Sequence, residues 1–222
     1  MNGHVVFITG GTGYMGSRLI PLLAQRGDTV RALVRKGSET RLRKDCTPVE
    51  GNALDEKSFA DKIKPADTFV QLVGVSHPSP SKADQFRAID LVSVRASVAA
   101  ARQAAVRHFV YVSVAHPAPM MRDYIAVRTE GEALIRASGL NATILRPWYV
   151  LVPGHRWPYV LAPVYWLFER LPSARDSAKR LGLVELDQML GALVHAVGNP
   201  SVGVRIMEVP EIRNFRTTGV CL

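Results

Sequence analysis

Ser113, Tyr124 and Arg128 are residue types that carry out proton transfer, and their spacing lets them act together. Tyr124 and Arg128 are four residues apart, so on a helix both project from one face, one turn apart. A guanidinium so placed lowers the pKa of a phenol from its usual value near about 10, toward useful acid–base work. Ser113, at the end of an apolar run, is placed to bond a carbonyl oxygen while the phenol delivers the proton. Spacing alone leaves a structural alternative open: Tyr124 packs on the sheet, and Arg128 pairs with Glu132 at i+4.

The second constellation is Thr9-Gly10-Gly11-Thr12-Gly13-Tyr14-Met15-Gly16. Val5-Val6-Phe7-Ile8 before it reads as a buried parallel strand. Leu19, Ile20, Leu22 and Leu23 after it recur at helical spacing, and Gly27 falls where a helix C-cap belongs. Glycines between a strand and a helix let the backbone turn tightly and approach a pyrophosphate, whose charge meets free N–H groups and the positive end of the helix dipole. A glycine-rich turn without a ligand is the alternative; the strand–turn–helix context favours dinucleotide binding. At the end of the second strand stands Leu33-Val34-Arg35-Lys36, with no carboxylate to bond a ribose 2′-OH. Arg35 offers a planar fork suited to a 2′-phosphate, so the expected cofactor is NADP, with NAD and a solvated basic turn as alternatives.

These residues need a scaffold, and the apolar pattern describes one. Strands are expected at Thr29–Val34, Pro48–Glu50, Thr68–Val73, Phe109–Val114, Ala142–Leu145 and Val204–Met207. Helices are expected at Glu56–Ile63, Asp84–Ala105, Tyr124–Ser138 (closed by Gly139) and Asp187–Val197. This alternation implies an α/β fold with a doubly wound parallel sheet of Rossmann type. At 222 residues with 47% apolar content the chain is expected to form a single domain over 1–222, to which 148–222 contributes a small C-terminal lobe. Trp148, Tyr149, Trp157, Tyr159, Tyr165 and Trp166 gather in that lobe among prolines; they read as core packing, as a lid over a substrate pocket, or as both.

Composition narrows the setting. No apolar run reaches the roughly 18 residues of a membrane span, and the first strand begins too near Met1 to leave room for a leader, so a cytoplasmic location is expected. Cys46 and Cys221 match no disulfide framework or metal spacing. The net charge of +9 brings no nucleic-acid motif with it, but Arg31, Arg35, Lys36, Arg41, Arg43 and Lys44 crowd where a cofactor phosphate would sit. The expected partners are a small-molecule substrate or the dinucleotide alone, with no nucleic acid, membrane or metal.

TGGTGYMG at 9–16, GNALD at 51–55, the Ser113/Tyr124/Arg128 set and SGLNATILRPWYVLVPG at 138–154 together resemble an atypical short-chain dehydrogenase/reductase. The nearest branch comprises NAD(P)-binding, NmrA-like and nucleoside-diphosphate-sugar-epimerase-like proteins, and the resemblance runs from Val5 to about Val209. It implies that Gly10, Gly13 and Gly16 serve the pyrophosphate, Arg35 selects NADP, and Asn52 and Ala53 face the adenine. It further implies that Leu72, Val73 and Gly74 line the cofactor, Ser113 and Tyr124 form the catalytic pair, and Pro147 lies over the nicotinamide. Two positions depart from the pattern: Arg128 replaces the lysine of YxxxK, and Asp90 stands where an asparagine is usual. Arginine there is not a conservative change. The implied function is an NAD(P)(H)-dependent oxidoreductase acting on a small carbonyl or hydroxyl compound. The alternative is a non-catalytic NADP(H)-binding sensor or scaffold. A sugar-nucleotide epimerase or dehydratase is disfavoured, because the C-terminal segment is short for embracing a nucleotide-sugar.

Overall fold

The structure, a computed structural model, describes residues 3–118, 120–151 and 181–217. Its centre is β1 (Val5–Thr9), whose side chains alternate between the two faces of a sheet. Phe7 joins one apolar cluster, and Val6 and Ile8 join the other. Around it lie β2 (Thr29–Val34), β3 (Thr47–Glu50), β4 (Thr68–Gln71), β5 (His108–Val112), β6 (Ala142–Arg146) and, beyond β7 (Tyr149–Leu151) and β8 (Leu183–Glu185), β9 (Val204–Glu208). The strand order is β3-β2-β1-β4-β5-β6-β9, with every pairing parallel. β7 and β8 form a separate parallel pair. This is the doubly wound Rossmann-type α/β fold that the alternation implied.

Helices cover both faces because these strands are apolar on both. α1 (Gly16–Gln25) and α5 (Leu186–Gly198) bury Leu19, Ile20, Leu23, Leu190 and Leu193 against Val6, Ile8 and Val110. On the other face the short α2 (Ala83–Gln85) runs through a π-helical segment, Phe86–Leu91, into α3 (Val92–Gln103), which packs beside α4 (Arg122–Ser138). Phe7, Phe69 and Phe109 form a ladder of rings there, with centroids 5.3 and 5.2 Å apart. Each buried ring contributes about 1.5–3 kcal/mol relative to exposure. A last short helix, α6 (Val209–Ile212), follows β9.

Most boundaries fall where the sequence puts them. Gly27 closes α1 in the left-handed region at φ +92°. The expected helix over Glu56–Ile63 is two 3₁₀ turns instead, Glu56–Ser58 and Ala60–Lys62. Eight residues are too few to sustain an α-helix without a long packed face, and the Asp55 carboxylate accepts from the Lys57 N–H to hold a tight turn. Of the C-terminal aromatic cluster, Trp157, Tyr159, Tyr165 and Trp166 lie outside the described residues. Among the described residues, no helix is long and apolar enough to cross a membrane.

Candidate active site

The strand order reverses between β1 and β4, so their connections diverge to opposite faces and leave a crevice beyond the carboxyl ends. A cleft of about 380 Å³ occupies that place. Gly10, Thr12 and Gly13 line its floor. Gly10 has φ +80°, and a Cβ there would come within 2.9 Å of the Leu72 backbone. Gly16 is not among the residues lining the cleft; a Cβ there would strike the Gly10 carbonyl oxygen, so the bare Cα lets α1 start hard against the turn after β1. Gly11 is likewise buried, toward Ala32. Thr9 is buried with its hydroxyl unpaired among the described residues, Met15 caps α1, and the half-exposed Tyr14 carries the Arg18 guanidinium over its ring at 3.8 Å.

One side of the cleft is basic. Arg35, Ser38 and Arg41 line it together with Leu33, Val34, Gly51, Asn52, Ala53 and Leu54. The turn after β2 places Arg41 there: the Ser38 N–H bonds the Arg35 carbonyl and the Arg41 N–H bonds the Ser38 carbonyl. Asn52 spends its side-chain oxygen on the Leu54 N–H at 3.1 Å, shaping the loop after β3. Arg41 belongs to the basic cluster that the sequence puts where a cofactor phosphate would sit, whereas nothing in the sequence singles out Ser38. What both share is proximity to Arg35 in the chain, which a turn converts into proximity in space.

The opposite side is formed by Leu72, Val73, Gly74 and Ile89. Gly74 has no room for a side chain, since a Cβ would fall on Arg128 Nη2 and 3.1 Å from Asp90 Oδ1. Behind it the Arg128 guanidinium is buried. Nη2 donates to Asp90 Oδ1 at 2.6 Å, and Nη1 donates to the Val112 carbonyl oxygen at 2.9 Å. Nε finds no partner among the described residues. Burial opposes the charge, but Tyr124, Tyr111 and Asp90 around it hold the guanidinium pKa above its ordinary value, so it stays protonated. Burial pushes the Asp90 carboxyl up, while Arg128 and the Val75 N–H, at 2.9 Å, pull it down.

Tyr124 lies one turn before Arg128, half-buried, with the guanidinium 5.1 Å from its ring centroid and Phe86 packed on it at 5.0 Å. Met121, just ahead of α4, adopts φ +60°, a strained conformation for a residue with a side chain, and Tyr124 follows within the first turn. Tyr124 does pack on a neighbour, yet Arg128 pairs with Asp90, not with Glu132.

Glu132 belongs to a different buried network. Ser113, 2% exposed, donates its hydroxyl proton to Glu132 Oε1 at 2.7 Å. Arg146 grips the same carboxylate with Nε at 2.9 Å and Nη2 at 2.5 Å, and reaches Glu208 with Nη1 at 2.9 Å. Burial would raise the Glu132 pKa, but the bonds from Arg146 and Ser113 hold it below the usual range. Pro147 is buried next to this network, its carbonyl oxygen accepting from the Ala115 N–H. The structure thus brings Gly10, Thr12, Gly13, Arg35, Asn52, Ala53 and Leu72–Gly74 around one cleft, and places Tyr124, Arg128, Ser113 and Pro147, with Thr9, Gly11, Tyr14, Met15 and Gly16, outside its lining.

A family model described as NAD(P)H-binding matches residues 10–156. The chain is 27% identical over 211 residues to the ceramide reductase of Caulobacter vibrioides, covering 94% of this chain and 65% of that protein. It is 26% identical over 168 residues to a 4-hydroxy-2-methyl-3-oxo-4-farnesyl-3,4-dihydroquinoline-1-oxide ketoreductase of Stigmatella aurantiaca, covering 65% and 49%. The chain therefore spans between about half and two thirds of the length of these relatives. Among solved structures, the Bordetella bronchiseptica enzyme WbmH in complex with NAD⁺ shares the fold at a TM-score of 0.67, with 24% identity over 92% of this chain and 75% of that one. The chain belongs to the NAD(P)H-binding family, whose model matches about two thirds of it, and it shares the Rossmann-type fold of that NAD⁺-bound structure.

Proposed function

We propose that the chain is an NADP(H)-dependent oxidoreductase that interconverts a carbonyl and a hydroxyl compound. The observation that carries this reading is the continuity of one cleft, running from Arg35 and Arg41, past Gly10 and Gly13, to Gly74 with Arg128 against its back. The residues fit a dinucleotide: Gly10 and Gly13 put no side chain on the floor beside Thr12, Arg35 and Arg41 stand at one side, and an unpaired buried Nε–H lies beyond the other. Gly10, Thr12 and Gly13 would hold the pyrophosphate, Arg35 and Arg41 the 2′-phosphate, and Asn52 and Ala53 the adenine. The names of two relatives, a ceramide reductase and a ketoreductase, support carbonyl chemistry.

When bound, the cofactor supplies or accepts the hydride. Tyr124 holds a proton at Oη, gives it to the substrate oxygen in reduction and takes it back in oxidation. Arg128 keeps a positive charge one turn away and has Nε–H left to bond an acceptor. Ser113 is 2% exposed and outside the lining of the cleft, so it orients the substrate oxygen only by turning its hydroxyl from Glu132 toward the Tyr124 side. A panel of carbonyl compounds with NADPH tests the reading. Tyr124→Phe is expected to lose about 100-fold or more in turnover, the usual worth of general acid catalysis, while NADPH affinity stays within about twofold. Unchanged turnover would refute the assignment. NADPH binding by a chain that reduces nothing would instead favour the sensor or scaffold.

A further inference from the structure

Asp90 is 1% exposed and spends both carboxylate oxygens, one on Arg128 Nη2 and one on the Val75 N–H. Arg128 is buried too, and Nη1 fixes it over the end of β5 through Val112. The pair is neutral as a whole, and the neighbouring Glu132 is already compensated by Arg146. The strand order gives the pair its place. Arg35 and Asn52 follow β2 and β3, Gly10 follows β1, and Gly74 follows β4 with Arg128 behind it. A dinucleotide with its 2′-phosphate at Arg35 and its pyrophosphate over Gly10 brings its nicotinamide to the Gly74 side.

We propose that the Asp90–Arg128 pair sets the relative affinity of this site for oxidised and reduced cofactor. The inference rests on the cofactor reading above. The oxidised nicotinamide ring carries a positive charge and the reduced ring carries none. A lone buried cation beside it penalises NADP⁺ and leaves NADPH nearly untouched, and a lone buried carboxylate does the reverse. Solvent and salt screen such a charge poorly, because both partners are out of water. With Asp90 and Arg128 both present the two effects cancel, so the site holds both redox forms.

The test is the ratio of dissociation constants, Kd(NADP⁺)/Kd(NADPH), measured by NADPH fluorescence titration and NADP⁺ competition. Asp90→Asn is expected to raise the ratio about fivefold, the order one unpaired charge exerts in a partly screened site. Arg128→Met is expected to lower it by a similar factor, and Asp90→Asn with Arg128→Met to return it to the wild-type value. A purely structural role would weaken both forms together and leave the ratio still. A folded sample of either single variant, checked by its thermal midpoint, decides the matter: a ratio within about twofold of wild type overturns the inference. Failure of the wild type to bind either form would overturn the cofactor reading and this inference with it.

Discussion

Arg128 donates to Asp90 across 2.6 Å, joining residues 38 positions apart in the chain and tying α4 to the π-helical segment before α3. Arg128 and Asp90 are the two positions at which the sequence resemblance implies a lysine and an asparagine, and they meet each other. A guanidinium in a lysine's place adds bulk and donors to a buried site, and a carboxylate in an asparagine's place accepts what the guanidinium offers. An asparagine at 90 would accept on one side only, leaving either Arg128 or the Val75 N–H unpaired. The two side chains thus satisfy each other within one buried pair.

Removing the guanidiniums from the basic side should alter cofactor choice. Arg35→Ala and Arg41→Ala are each expected to weaken NADPH binding by about tenfold or more, the scale of one charge-assisted phosphate contact, and to leave NADH within about twofold. Parallel fluorescence titrations with the two cofactors measure this. Equal losses for NADPH and NADH would remove the residue from a phosphate-selecting role.

Gly74→Ala should push Arg128 off Asp90, because the new methyl group needs the space of Nη2. Overpacking of this kind costs about 1–3 kcal/mol. The expected result is a lower urea midpoint together with weaker NADPH binding, since Gly74 also lines the cleft. An unchanged midpoint would mean that the guanidinium yields without cost.

His108 should make the fold acid-sensitive. It is fully buried, with Nε2 3.0 Å from Thr143 Oγ1. Burial, aided by His4 and opposed by Asp67, lowers its pKa to about 4 from the ordinary 6.5. Between those values the unfolded chain binds a proton that the folded chain refuses, so stability falls as pH drops from about 6.5 to about 4. Over that whole range the loss amounts to about 3 kcal/mol. Urea unfolding at about pH 7 and about pH 4.5 should show a smaller difference for His108→Gln than for wild type. The same difference in both would assign the acid sensitivity to other groups.

Glu132→Gln should destabilise the end of β5. The amide can still accept from Ser113 but leaves part of the Arg146 fork without a carboxylate. Breaking a buried pair costs about 3–5 kcal/mol; because Glu208 still holds Arg146 Nη1, the expected loss is nearer about 2 kcal/mol. Thermal and urea denaturation measure it. A loss below about 0.5 kcal/mol would show that Glu208 alone satisfies Arg146.

What the sequence by itself determined is local. Gly10 to Gly16 had to make a tight turn because a strand pattern ends and a helix pattern begins on either side of them. Arg35 had to stand at the mouth of that turn because β2 ends there. Gly27 and Gly139 had to close helices, and both adopt positive φ. Strand–helix alternation then made a doubly wound parallel sheet nearly the only compact solution. Tertiary structure decided who pairs with whom. Glu132 is the nearest acidic neighbour of Arg128 at helical spacing, yet it turns to Arg146 and Ser113, while Arg128 turns to Asp90. No periodicity announces the π-helical segment that carries Asp90, and none places Arg41 in the cleft. Helical spacing only offers a partner. A buried charge takes the acceptors that packing brings closest with water excluded, and packing joins layers far apart in the chain.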